Sequence, residues 1–247
     1  MKIRSLASLI ALSTALLTVG SVVHAQAITP TGTFGPQPGM TFGGTGIPND
    51  AVMVNSDLTA SGVTLGLTAH QRYANPALTN NNLGTFYAMA GVDQLNAPSP
   101  TDPYAVWNFG FFVGGGNRLQ YTYKLFYDFN PLTGNDQSTH GVIGFSASPD
   151  SAIQNSWNLG MNFLADNAFW GGNPPPVLFD PNAVGQYTFA LAAFSGTTEV
   201  TRSAIQVNVG TQVVPEPSTY AMMTAGLAGI FAVARRRKNK SSSVSPS

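Results

Sequence analysis

The 247-residue sequence contains no cysteine, only three histidines, and charged residues that make up 9% of the chain. The absence of cysteine excludes disulfides and thiol catalysis, so the stability of the fold has to come from packing and hydrogen bonds. Aromatic residues are well represented at 11%. A chain that is low in charge and rich in aromatic residues is expected to fold rather than to remain disordered.

The formal net charge of zero hides an uneven distribution of charge along the chain. Residues 26–214 carry ten acidic side chains and four basic ones, which gives this part a net charge of −6. An acidic segment with four scattered bases offers no surface for a phosphate backbone. We therefore expect no nucleic-acid partner. The four bases are Arg72, Arg118, Lys124 and Arg202.

The N-terminus has the three parts of a secretory signal peptide. Lys2 and Arg4 precede an apolar run at residues 6–19, and Val23-His24-Ala25 has the small residues of a cleavage site. We predict a signal peptide over residues 1–25 that signal peptidase removes after Ala25, with Ala27 as the second choice. The body of the chain that follows is then exported.

The C-terminus contains an uncharged apolar run at residues 220–234. A helix needs about 20 residues to span a bilayer, and local thinning of the bilayer tolerates a slightly shorter one. We predict a transmembrane helix over about 218–234. Because basic residues resist crossing a membrane, residues 235–247 are predicted to form a cytoplasmic tail. The stop-transfer cluster consists of Arg235, Arg236, Arg237 and Lys238.

A proline-containing tripeptide, Pro215, Glu216 and Pro217, stands just before this helix. Proline cannot sit inside a helix and restricts the residue before it, so the tripeptide is expected to be extended and accessible to a processing enzyme. The order of tripeptide, short apolar helix and arginine cluster, in a chain with a signal peptide, resembles the PEP-CTERM sorting signal over residues 213–238. This segment is also labelled the ice-binding protein C-terminal domain, a label that by itself does not indicate ice binding.

The resemblance implies that an exosortase, a membrane-embedded enzyme with a cysteine nucleophile, recognises Pro215, Glu216 and Pro217 and removes the tail. It also implies a Gram-negative bacterium, transient residence in the inner membrane, and delivery to the cell surface or extracellular matrix. An ordinary single-pass anchor is the alternative, but it leaves the tripeptide unexplained. The last predicted strand ends at Val209, so the folded body is expected to lie close to the membrane before processing.

Alternation of apolar and polar residues predicts strands rather than helices in the body of the chain. We expect an all-β fold over residues 51–210, an antiparallel two-sheet sandwich of immunoglobulin-like or jelly-roll type. The Gly- and Pro-rich residues 26–50 are predicted to form an irregular leader. The predicted strands include residues 63–67, 86–92, 104–113, 119–129, 141–147, 157–163, 186–194 and 199–209.

Tyr187 lies near the start of a predicted hairpin whose turn is Ser195–Thr198. The sequence around it, Gly185–Phe189, resembles the tyrosine corner of immunoglobulin-like sandwiches. In that motif the tyrosine hydroxyl bonds to backbone a few residues upstream. We expect this role for Tyr187.

Few residues indicate catalysis. The segment Gly144–Ser148 is the nearest approach to a nucleophile elbow, but it lacks the second glycine and is better interpreted as a strand end. His70 and His140 belong to no local metal motif, and we predict that both are exposed polar residues. We therefore predict a non-enzymatic protein. A secreted polysaccharide hydrolase that uses two acids across a cleft is the alternative.

The loop that carries Asp128, Asn130 and Asp136 is a weak candidate for a calcium site. It begins like an EF-hand loop, but Leu132 and Thr133 occupy positions that require an oxygen ligand and a glycine. Turn formation explains the same residues, so we expect no cofactor and keep an irregular calcium site as the alternative.

The three tryptophans differ in their setting. Trp107 and Trp157 lie in alternating strands and are predicted to belong to the core, whereas Trp170 lies in a Gly- and Asn-containing loop. Trp170 is therefore the candidate contact for a sugar ring. The sequence predicts an exported structural or adhesive module. The alternative is a carbohydrate-binding module whose ligand is extracellular polysaccharide.

Overall fold

The computed structural model describes residues 26–41, 49–57, 62–73, 78–95, 103–166 and 172–210, which form two facing β-sheets. In chain order the strands are β1 (Thr33–Gly35), β2 (Val52–Asp57), β3 (Val63–Gln71), β4 (Thr79–Asn80), β5 (Thr85–Ala88), β6 (Trp107–Gly114), β7 (Thr122–Tyr127), β8 (Gly141–Ser146), β9 (Ile153–Trp157), β10 (Gly185–Ser195) and β11 (Thr198–Val209).

One sheet has the order β1-β2-β3-β6-β9 and the other the order β4-β5-β11-β10-β7-β8. The predicted all-β, two-sheet architecture is confirmed. The prediction of a purely antiparallel sandwich is wrong at one place, because β5 runs parallel to β11. Strand β5 follows the short strand β4, and the chain then crosses to the other sheet at β6, so no hairpin dictates the direction of β5 relative to β11.

Aromatic side chains from both sheets fill the space between them. The rings of Phe109 and Phe189 stack with centroids 4.6 Å apart, and Trp107 lies 5.9 Å from Tyr187. Trp107 and Trp157 are buried, as predicted from their alternating strands. Burial of large aromatic surfaces stabilises this fold, which has no disulfides.

The predicted leader contributes to the sandwich and is not irregular throughout. Strand β1 pairs with β2, and Thr31 exchanges backbone hydrogen bonds with Ala204 of β11. Ile28 is buried on the outer face of the six-stranded sheet, and Met40 is buried on the outer face of the other sheet. Each of these two side chains packs in a small apolar cluster on one outer face, which ties the Gly- and Pro-rich segment to the sandwich.

The strand predicted over 157–163 ends at Trp157, and the chain turns into a short helix, α1 (Asn162–Asp166). Asn158 causes the turn, because its buried amide accepts a hydrogen bond from the Ala105 amide and donates to the Ala105 and Trp107 carbonyls. The Asn158 side chain thereby makes the backbone hydrogen bonds that a continued strand would otherwise make with residues 105–107. Alternation beyond Trp157 therefore reflects packing of a turn and a helix, not a continued strand.

The strand predicted over 119–129 is confirmed in its centre and wrong at its start. Tyr123, Leu125 and Tyr127 are fully buried on the inner face, as the alternation predicts. Residues Arg118–Gln120 instead form a turn of 3₁₀-helix, and Leu119 is 56% exposed.

The β10–β11 hairpin has the predicted turn, with Ser195 paired to Thr198. Gly185 opens β10 with φ +151°, where an added Cβ would lie 2.1 Å from the Pro131 carbonyl oxygen. The hydroxyl of Tyr187 donates to the Ala183 carbonyl at 3.4 Å, four residues upstream. The predicted tyrosine corner is thus present.

Within the described ranges, no helix combines the length and the apolar character that crossing a bilayer requires. The predicted signal peptide (1–25) and transmembrane helix (about 218–234) lie outside the described residues.

Candidate functional site

Several predicted functional residues lie outside the described part of the chain. This holds for the candidate sugar contact Trp170, for the tripeptide Pro215, Glu216 and Pro217, and for the basic cluster that follows the apolar run. Their predicted roles therefore depend on the sequence and on comparison with other proteins.

In the loop that was the calcium candidate, hydrogen bonds within turns occupy the side-chain oxygens. Asp128 is buried, and its two carboxylate oxygens accept from the Asn130 amide and from the Asn135 side chain, both at 2.8 Å. Asp136 accepts from the Ser138 amide and caps a 3₁₀ turn. In the part of the chain that the structure describes, no three His, Asp or Glu side chains converge as ligands for a metal ion.

His140 is buried, so the prediction of an exposed residue is wrong. Its Nδ1 lies 3.0 Å from the Asp136 carbonyl oxygen, and its Nε2 lies 2.7 Å from the Thr188 hydroxyl and 3.7 Å from a carboxylate oxygen of Asp128. Burial lowers the pKa of His140 against the attraction of Asp128. Burial likewise raises the pKa of Asp128 against its hydrogen bonds. The cluster joins the Asp128 loop to the outer face of β10.

His70 is also buried, which corrects the same prediction at the other sheet. Its Nδ1 lies 2.9 Å from the Gln71 carbonyl oxygen, and its Nε2 lies 2.9 Å from the Ser156 hydroxyl. Ser156 in turn accepts from Asn108. These partners fit a neutral ring that donates from Nδ1 and accepts at Nε2. Burial lowers the pKa of His70 and keeps it neutral. A lone histidine in a strand could not be assigned to this network from sequence, because Asn108 and Ser156 lie on the distant strands β6 and β9.

A candidate binding site is a pocket of about 380 Å³ where β3 and β5 end. We call it the Arg72 pocket. Its lining combines apolar side chains with a few polar groups, which is the composition expected of small-ligand sites. The lining residues are Gln71, Arg72, Leu78, Thr79, Tyr87, Ala88, Met89, Val106 and Trp107.

The guanidinium of Arg72 lies between two tyrosine rings at this pocket. Its central carbon is 4.4 Å from the ring centroid of Tyr73 and 4.4 Å from that of Tyr104. Its Nε donates to Asp93 at 2.7 Å, and an Nη donates to the Tyr73 hydroxyl at 3.0 Å. Contact between a cation and aromatic faces stabilises both groups, so the side chains hold one another in place.

Tyr73 is held in an unusual backbone conformation, with φ +53°. Gly, Asn and Asp tolerate this left-handed region, but a bulky residue rarely adopts it. Residues held in such conformations concentrate at binding and active sites. Despite its contacts with Arg72, Tyr73 remains 58% exposed. An aromatic ring is therefore exposed at the surface on a backbone conformation that is energetically unfavourable for tyrosine.

Charge in the pocket is compensated. The side chains of Arg72 and Asp93 are 5% and 12% exposed and form an ion pair. A hydrogen bond from the Leu95 backbone amide to the carboxylate of Asp93 holds that side chain in place. A neutral pair beside an exposed ring suits an uncharged, hydroxyl-bearing ligand better than an ionic one.

The sequence offered little indication of this pocket. Arg72 and Tyr73 are adjacent, and this is the only place in residues 26–214 where an arginine adjoins an aromatic residue. Asp93 and Tyr104 reach Arg72 through the backbone contacts Arg72 to Val106 and Asp93 to Tyr104. No sequence pattern marks those contacts, because they join segments that are distant in the chain.

Comparison with protein-family models matches residues 213–238 to the model described as the PEP-CTERM protein-sorting motif. The chain carries a PEP-CTERM sorting motif. The PEP-CTERM motif identifies an exported protein that an exosortase processes at the membrane and that is destined for the cell exterior. The matched residues coincide with those of the predicted resemblance, which is thereby confirmed. No curated protein matches the chain.

Proposed function

We propose that the protein is a non-enzymatic adhesive module of the cell surface or extracellular matrix, and that its Arg72 pocket binds neutral polysaccharide. The PEP-CTERM motif, which indicates export to the cell exterior, supports a role outside the cell. The observation that carries the proposal is the exposed ring of Tyr73, which is fixed by Arg72 beside a pocket of about 380 Å³.

The chemistry of a sugar ring fits this arrangement. One face of a hexose carries C–H groups that stack on an aromatic ring, and its hydroxyls need planar hydrogen-bonding partners. The pocket lining includes the aromatic ring of Tyr87 and the polar side chains of Gln71 and Thr79, and the exposed ring of Tyr73 stands beside the pocket against Arg72. Because residues 26–214 carry a net charge of −6, neutral glycans are favoured over anionic ones.

A binding role agrees better than hydrolysis with the settings of three described carboxylates. Asp93 is paired with Arg72, Glu199 is paired with Arg202, and Asp128 is buried in its loop. A glycosidase needs one carboxylic acid and one carboxylate that both reach the glycosidic bond. The hydrolase alternative predicts turnover of a polysaccharide that is lost when one acid pair is changed.

The test uses residues 26–214, because the described body forms a sandwich with its own core and processing itself removes the tail. Binding to an array of neutral and anionic glycans is measured for the unchanged protein and for Tyr73→Asn. Asparagine tolerates the left-handed conformation, so the variant removes the ring without adding backbone strain. We expect a loss of about tenfold or more in affinity for a neutral glycan.

Two further variants serve as controls. Tyr73→Phe keeps the aromatic face and is expected to keep most of the affinity. Leu119→Ala changes a residue of similar exposure at the opposite end of the sandwich and is expected to have no effect. Unchanged affinity of the Tyr73→Asn protein would assign the binding elsewhere. Trp170→Ala then tests the site that the sequence predicts.

A further inference from the structure

The exposed apolar side chains of the body are unevenly distributed. Nine large hydrophobic residues are exposed in the described part of the chain, and seven of them belong to the end of the sandwich where β10 begins and β11 finishes. Single exposed hydrophobic residues are normal on a protein surface, whereas a cluster indicates an interaction site. We call these seven residues the apolar end: Tyr73, Met89, Leu95, Leu132, Val177, Leu178 and Val184.

Two members of the apolar end, Met89 and Val184, lie at the point where the chain leaves the sandwich. The Gly210 amide donates to the Ala88 carbonyl at 2.9 Å, next to Met89. Val184 lies directly against Gly210, where it would contact an added Cβ.

Leu95 and Leu178 lie in the loops that close this end of the sandwich. The Gly91 amide donates to the Pro181 carbonyl, which joins the loop of Leu95 to the loop of Leu178. Phe179, the neighbour of Leu178, packs on Phe129 and Tyr187. The loops are thus fixed from below by buried aromatic rings while Leu178 and Leu95 remain 85% and 92% exposed.

The chain that follows Gly210 is short. Seven residues separate it from Ser218, where the predicted transmembrane helix begins, and seven extended residues reach at most about 25 Å. A sandwich held on so short a connection has its exit end turned toward the bilayer while the tail is still attached. Leu119, in contrast, lies at the opposite end, because it precedes Thr122, which pairs with Phe194 next to the turn of the β10–β11 hairpin.

We propose that the apolar end rests on the lipid surface in the membrane-held precursor, with the side chains of Leu95, Leu178 and Val184 inserted among the head groups. Apolar and tyrosine side chains favour this interfacial region, and their contact area adds to the binding. The inference requires the predicted transmembrane helix but does not depend on sugar binding by the Arg72 pocket.

The charges of this end select the type of lipid. Arg72 and Asp93 form an ion pair, so their charges cancel, while Asp180 adds a negative charge two residues from Leu178. An end with surplus acidic charge gains nothing from anionic head groups. The surface that it fits is therefore zwitterionic, and contact arises from burial of apolar side chains.

The test uses the full-length protein reconstituted into phosphatidylcholine vesicles. Because the chain has no cysteine, single variants Leu178→Cys and Val184→Cys each accept one environment-sensitive fluorophore. Leu119→Cys is the matched control at the far end. We expect lipids with a spin label near the head group to quench the first two labels at least about twofold more than the third. Insertion of the precursor is measured separately by co-flotation with the vesicles.

Three results would overturn the proposal. The first is a precursor that floats with the vesicles but shows equal quenching at all three positions. The second is a precursor that does not insert at all. The third is an apolar environment of the fluorophores at positions 178 and 184 that disappears on dilution to one protein per vesicle. That result would identify a second copy of the chain, not lipid, as the occupant of the apolar end.

Discussion

The Nε atom of Arg72 lies 2.7 Å from a carboxylate oxygen of Asp93, and both side chains are almost completely buried. The pair joins the end of β3 to the loop after β5 and holds the guanidinium between Tyr73 and Tyr104. It is thus a structural contact that fixes Arg72 in the lining of the candidate binding pocket.

Replacing Asp93 with asparagine is expected to lower the free energy of unfolding by about 3 kcal/mol, because Arg72 then remains buried without its counter-charge. Urea denaturation of the body measures the change. Glu199→Gln is the control, since Glu199 pairs with Arg202 at a more exposed site and the loss there is expected to stay below about 1 kcal/mol. Equal losses in the two variants would contradict the assignment of the Arg72 pair as a buried one.

Two of the three buried tyrosine hydroxyls that donate to backbone carbonyls, those of Tyr127 and Tyr187, are expected to form hydrogen bonds of different strength. Tyr127 donates to the Leu164 carbonyl at 2.6 Å and ties β7 to α1, whereas Tyr187 reaches the Ala183 carbonyl at 3.4 Å. Tyr127→Phe should cost about 1–2 kcal/mol of unfolding free energy, and Tyr187→Phe less. Thermal denaturation of both variants measures the order, and a larger loss for Tyr187→Phe would show that the tyrosine corner is the stronger contact.

The stability of the fold is expected to fall under mildly acidic conditions, in part because of His70. Burial lowers the pKa of His70 in the folded state below its ordinary value of 6.5. The unfolded chain therefore takes up the proton first, so this stability is fully present above pH 6.5 and is lost as the pH falls through the folded pKa. The variant His70→Gln cannot titrate and should show a weaker dependence of unfolding free energy on pH between about 7 and 5. An unchanged dependence would mean that His70 does not contribute.

Calcium is expected to leave the melting temperature of the body unchanged at millimolar concentration. The carboxylate oxygens of Asp128 already accept hydrogen bonds from Asn130 and Asn135, so a metal ion would have to break the turn that positions them. A ligand that binds only the folded state raises the melting temperature. A rise that is abolished by Asp128→Asn would therefore establish the calcium site that we do not expect.

Local sequence patterns predicted the parts of this fold that depend on one strand at a time. Alternation in Tyr123, Leu125 and Tyr127 gave the inner face of β7, and the positions of Trp107 and Trp157 gave two core residues. The pattern failed where a polar side chain replaced a strand partner. Asn158 bonds to the backbone of Ala105 and Trp107, and these contacts ended the predicted strand at Trp157.

Export, the PEP-CTERM motif and the all-β class were determined by the sequence itself, because a sorting signal is read as an extended peptide and strand alternation is a local property. The burial of His70 and His140, the pairing of Arg72 with Asp93, and the grouping of exposed apolar residues around Gly210 were decided only by the tertiary structure. Each of these depends on which strand ends meet. Strand β5 pairs in parallel with β11, and the chain crosses between the two sheets several times. Strand ends that meet are therefore far apart in the sequence, where no local pattern specifies a partner.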